Sequence, residues 1–125
     1  MKSRWITYGD KRILYCDYTH FALSDFDELK AELDTVVALL LQEPEKSVLA
    51  LTDIRGSIAS RPVIAMFKRA ATVTAKHVRK QAVVGVTGLK KVLFDAVVYV
   101  SRQPAKAFGD LEEEEAKDWL VEKDG

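Results

Sequence analysis

The stretch Ala82-Val83-Val84-Gly85-Val86, followed directly by Thr87-Gly88-Leu89-Lys90-Lys91, constrains the fold of this chain more than any other. An unbroken run of small and apolar residues suits a strand covered on both faces, and such strands belong to parallel sheets flanked by helices. Thr87-Gly88 then turns the chain at once into a helix with Lys90 and Lys91 in its first turn. The same pattern occurs upstream, where Val48-Leu49-Ala50-Leu51 passes through Thr52-Asp53-Ile54-Arg55-Gly56 to a helix opening at Ser60. Two βα units of this kind place both loops on one edge of a shared sheet.

The remaining segments fit around these units. Residues 3–7 and 12–17 read as a hairpin joined at Gly9-Asp10. Ser24 and Asp27 have capping-box spacing, and Phe26, Leu29, Leu33, Val36, Val37 and Leu40 step by three and four, so residues 25–42 form an amphipathic helix that Pro44 ends. Ser60 is the expected N-cap of the next helix, with Pro62 in its first turn, and Val63, Phe67, Ala70, Ala71, Thr74 and Val78 as its buried stripe. After the helix at 88–101 come a short strand around Lys106-Ala107-Phe108 and a last helix capped by Asp110, docked by Ala116, Trp119 and Leu120. The expected order is ββαβαβαβα: an α/β fold with a mostly parallel five-stranded sheet, an N-terminal hairpin and right-handed crossovers.

At 125 residues the chain has the length of one domain spanning 1–125, large enough to bury about two-thirds of its unfolded surface without metal or disulfide. Its one cysteine, Cys16, lies within the apolar run Ile13-Leu14-Tyr15-Cys16, which suits a small buried hydrophobe in a reducing compartment. No leader pattern and no apolar run near the ~20 residues of a membrane span are present, so a cytoplasmic location is expected. Net charge is zero but unevenly spread: residues 1–53, 54–94 and 95–125 carry −4, +9 and −5. Such a basic middle either faces an anionic partner or pairs with the acidic flanks.

Helix 88–101 is apolar on more than one side. Leu89, Val92, Leu93, Ala96, Val97 and Val100 supply a core stripe, which leaves Phe94 and Val98 opposite it with Tyr99 nearby. These three residues form a candidate self-association surface, with cover from a neighbouring helix as the alternative.

The segments ILYCDY (13–18), SVLALTDI (47–54), AVVGVTGLKK (82–91) and EEAKDWLV (114–121) resemble, in order and along the whole chain, the SpoIIAA-like group of STAS domains, and more closely small bacterial STAS/CRAL-TRIO-like proteins. The resemblance implies a STAS-like domain wound as a βα superhelix. It also implies a non-catalytic regulatory or protein-interaction module, or alternatively a small-ligand or lipid-binding carrier. In the anti-sigma-factor antagonists of this group a serine at the start of the second helix is phosphorylated, and aligned without a gap it falls on Ser60. Ile58, Ala59 and Arg61 stand where that motif has aspartate, serine and glycine.

Chemistry at the loops is limited by residue type. With both loops on the carboxyl edge, Asp53, Arg55, Ser57, Ser60, Thr87, Gly88 and Lys90 converge near two helix N-termini, a candidate anion or ligand site. A receiver-like phosphorylation of Asp53 lacks the acidic pair that holds Mg²⁺, since only Asp17 follows the first core strand. His20 and His77 are far apart and no second cysteine exists, so no metal and no cofactor are expected. Neither histidine is tied to a nucleophile, and His77 reads as a solvated residue among Lys76, Arg79 and Lys80. No catalytic residue is assigned. The partners expected are another protein or a second copy of the chain, with an anionic or apolar small ligand as a further option. The basic middle lacks the interleaved aromatic residues that stack bases, which argues against nucleic acid.

Overall fold

The computed structural model describes residues 2–88 and 90–122. Strands β1 (Arg4–Tyr8) and β2 (Lys11–Asp17) form the N-terminal hairpin, and the chain continues through α1 (Phe26–Leu41), β3 (Val48–Asp53), α2 (Arg61–Thr74), β4 (Val78–Val84), α3 (Lys90–Ser101), β5 (Ala105–Phe108) and α4 (Glu113–Val121). The sheet order is β1-β2-β3-β4-β5, antiparallel only between β1 and β2, so the expected α/β architecture with a five-stranded, mostly parallel sheet is found.

Each crossover advances the sheet by one strand in the same direction, so α1, α2 and α3 lie side by side on one face. Leu14, Cys16 and Ala50 meet Leu33, Val36, Leu40, Val63, Met66 and Leu93 there. The other face is covered by α4, whose Ala116 and Leu120 pack on Ile13, Leu49, Leu51, Ala82 and Val84. Central strand β3 is therefore buried at every position, which is why its sequence is an unalternating apolar run.

Three local readings are corrected. Helix α1 begins at Phe26, not within a Ser24 capping box: the Asp25 carboxylate instead accepts the Ala22 N–H at 2.9 Å. Helix α4 is not capped by Asp110: the Glu112 carboxylate reaches back to the Gly109 N–H at 2.6 Å. Strand β4 starts at Val78 rather than Ala82, and Val78 accordingly belongs to the sheet, not to the α2 stripe. Its first half was hidden because it contains Arg79, Lys80 and Gln81. Lys80 reconciles its charge with burial by lying over the Trp119 ring and donating to the Trp119 and Glu122 carbonyls at 3.0 and 3.2 Å.

The face assignment of α3 is also corrected. Leu93 is buried, Phe94 and Val97 pack against the core beneath the helix, and Val98 lines the same crevice as Thr52 and Val83. Val92, expected in the core, is 55% exposed, and Tyr99, expected on the surface, is 78% exposed. Leu89, placed in the same stripe by its spacing, lies outside the described residues. A helix apolar on both sides gives periodicity no unique inward face, and docking against α2 selected the face of Phe94 and Val98.

Candidate functional site at the carboxyl edge of the sheet

Strands β3 and β4 end in register, Asp53 beside Val84, and the Ile54 N–H donates to the Val84 carbonyl at 3.0 Å. The loops 53–60 and 87–90 therefore share one edge, as expected. The seven candidate residues nevertheless divide between the two sides of that edge.

Toward α4, Asp53 is 1% exposed and forms the centre of a charged cluster. Its carboxylate accepts the Tyr15 hydroxyl at 2.5 Å, Arg55 Nη2 at 2.6 Å, Arg55 Nε at 3.0 Å and the Arg55 backbone N–H at 3.1 Å. Arg55 continues to the Glu113 carboxylate at 2.6 Å and the Asp110 carbonyl at 3.2 Å, and Lys117 pairs with Glu113 at 2.9 Å. Burial opposes ionisation of Asp53, but hydrogen bonds from Arg55 and Tyr15 outweigh it and hold the carboxyl below its usual range. Burial first, and then the bond to Asp53, raises the Tyr15 phenol. The hydrogen bond to Asp53 likewise raises Arg55, while Lys117 and then Arg55 keep Glu113 low. A carboxylate saturated by four donors and a guanidinium divided between two carboxylates have little capacity left for a ligand. The arrangement clasps α4 onto the strand ends.

Gly85 completes the clasp. Its φ is +96°, and a Cβ there would lie 2.9 Å from both the backbone nitrogen and Cγ of Arg55. Replacing Gly85 by alanine is expected to destabilise the fold by about 2–3 kcal/mol through backbone strain and displacement of Arg55, read as a fall in the denaturant midpoint. A midpoint within error of wild type would show that the close approach imposes no constraint.

Toward α2 and α3 lie the other candidates. Ser57 Oγ donates to the Tyr18 carbonyl and accepts the Phe21 N–H at 2.9 Å, pinning the loop. Ser60 is the N-cap of α2 as expected, accepting the Val63 N–H at 3.4 Å. Lys90 Nζ reaches the Ile54 carbonyl at 3.2 Å. Thr87 and Gly88 are exposed, with Gly88 in the left-handed region at φ +55° where the chain turns into α3. The structure thus brings Ser57, Ser60, Thr87, Gly88 and Lys90 to one side and turns Asp53 and Arg55 to the other.

Tyr15, Glu113 and Lys117 were missed by sequence reasoning. They lie in other elements, and only the Asp53-x-Arg55 spacing signals the cluster locally. Cys16 is buried as expected, and burial pushes its thiol up to about 12. His77 is buried rather than solvated, with Nδ1 2.8 Å from the Glu43 carbonyl. Among the described residues no cluster of three or more histidine, cysteine or acidic side chains is arranged to hold a metal, and no helix is long and apolar enough to cross a membrane.

Comparison with known proteins gives the fold. No family model and no curated protein matches the chain. Among solved structures, it is similar to an uncharacterized protein of the DUF3478 family with a SpoIIAA-like fold from Shewanella loihica PV-4. The TM-score is 0.63 at 17% identity, over 95% of this chain and 92% of that one. The architecture is SpoIIAA-like.

Proposed function

We propose that this SpoIIAA-like chain is a non-catalytic STAS-like module, a single domain over 1–125, that acts by binding a protein partner or a second copy of itself. The observation that carries this reading is the outer face of α3. Val92 and Tyr99, seven residues apart and so on one side of the helix, are 55% and 78% exposed. Half-buried Ala96 and Val100 continue the same stripe. The self-association surface first drawn through Phe94, Val98 and Tyr99 is therefore proposed around Tyr99 and Val92, with Phe94 and Val98 supporting it from beneath. Burying the two exposed side chains is worth on the order of 3–5 kcal/mol. Association costs at least ~4 kcal/mol, so the stripe supports a weak, reversible dimer only with Ala96 and Val100 contributing. Dilution followed by amide shifts tests this, with changes expected along 92–100.

The anion reading narrows to Ser60, Thr87, Gly88 and Lys90, because Asp53 and Arg55 are bound to each other and Ser57 holds its own loop. A phosphate on Ser60 would sit at the start of α2, where the helix dipole favours negative charge. Titration with inorganic phosphate is expected to shift the amides of Ser60, Arg61 and Val63 and those at 87–91. Unmoved signals there at high phosphate would remove the site.

The carrier reading is favoured by one separate observation. A cavity of about 60 Å³ lies between the sheet and α1, α2 and α3, lined by Leu33, Val36, Phe67 and Val97, with Gln103 Oε1 buried beside it and without a hydrogen-bond partner. A volume of that size is well below the roughly 300–1,000 Å³ of drug-sized ligand pockets, so the carrier reading is confined to a ligand of a few heavy atoms bearing a donor for Gln103 Oε1. Native mass spectrometry of the purified chain separates this reading, which expects a retained adduct, from the dimer.

A further inference from the structure

The amino edge of the sheet, opposite the loops above, carries a groove between the last turns of α1 and α2 and the turn joining α3 to β5. Its floor is apolar, with Leu41 and Val73 each about half exposed. Its walls hold Lys46, Lys76 and Arg102, which make no ion pair or side-chain hydrogen bond among the described residues, and no described acidic side chain lines it.

The carboxyl end of a helix attracts cations, and α1, α2 and α3 all end on this side of the amino edge, which accounts for positive charge in general. It does not account for where two of the cations stand. Lys46 and Arg102 adopt φ of +53° and +59°, a conformation that favours glycine, so each position keeps a long basic side chain against backbone preference. Nor does the helix-end effect explain the half-exposed Leu41 and Val73 that line the same groove as the cations.

We propose that this groove docks an acidic peptide segment of a protein partner. An aliphatic side chain of the peptide sits between Leu41 and Val73, and carboxylates meet Lys46, Lys76 and Arg102. Nucleic acid offers no aliphatic anchor for the floor, and a concave groove receives a chain in preference to a bilayer surface. The inference is independent of the α3 stripe.

The test is fluorescence anisotropy of the full chain with a fluorescein-labelled peptide of one leucine flanked by three glutamates on each side. Saturable binding is expected. It should weaken about tenfold in the double variant Lys46→Gly/Arg102→Gly, because charged groups at an interface steer and hold the partner. That same variant should melt at or above the wild-type temperature, since glycine suits both backbone positions. Val73→Asp should abolish binding, replacing the leucine by serine should weaken it several-fold, and Tyr99→Asp should leave it unchanged. The proposal is overturned by absence of saturable binding, by equal affinity for the leucine and serine peptides, or by an affinity that the double variant does not alter. Binding to phosphatidylserine vesicles that the peptide fails to compete would overturn it in favour of a membrane surface.

Discussion

Replacing Asp53 by alanine is expected to lower folding stability by about 3 kcal/mol, the lower end of the cost of breaking a buried ion pair. The lower end applies because Arg55 keeps Glu113 as a partner and its side chain is 31% exposed, so the orphaned charge is partly hydrated. The loss should be accompanied by release of α4, visible as faster amide exchange over 113–121. Acid titration carries the same information. Asp53 and Glu113 both have carboxyls lowered in the folded chain, so their contribution is present above the unfolded values of about 3.9 and 4.3 and is lost as pH falls through the folded ones. Wild type should therefore lose stability below about pH 4, and Asp53→Asn should flatten that limb. Tyr15 works at the other end. Its raised phenol contributes stability fully below the unfolded value of about 10 and loses it as pH rises toward the folded one. Equal acid limbs in wild type and Asp53→Asn would show that the cluster does not couple α4 to the sheet.

Phe94→Asp carries the second large effect. Phe94 packs against the core beneath α3, so aspartate there both removes apolar burial and brings a charge toward an apolar crevice lined by Ile54, Phe67 and Val83. A loss of about 2–4 kcal/mol is expected. For a chain of this size that lowers Tm by on the order of 10 °C. Tyr99→Asp, on the exposed side of the same helix, should leave Tm within about 2 °C of wild type, as surface changes do. A small effect at Phe94 with a large one at Tyr99 would reverse the face assignment of α3.

The parts of this fold that were legible in the sequence are those whose cause is local. Val48–Asp53 reads as a central strand because both its faces are covered, Ser60 and Pro62 mark a helix start, and Pro44 marks a stop. The start of β4 was not legible, because Lys80 enters the sheet only with Trp119 to lie beneath it, and that residue arrives from α4. The face of α3 was not legible because both sides of the helix are apolar, leaving the choice to α2. The candidate site was legible as an edge but not as chemistry. Asp53 and Arg55 stand two residues apart, yet their behaviour is set by Tyr15 and Glu113, which lie 38 residues from Asp53 and 58 from Arg55. No spacing rule connects those positions, so a carboxylate and a guanidinium that read as available for a ligand are in fact each other's partners.

The outer stripe of α3 is the centre of the functional reading, and sedimentation velocity of the full chain from micromolar to millimolar concentration tests it most directly. The expected result is a reversible monomer–dimer equilibrium in wild type that Tyr99→Asp and Val92→Asp each shift to monomer with melting temperature unchanged. A wild-type chain that sediments as a monomer throughout, or a dimer indifferent to both substitutions, would contradict it.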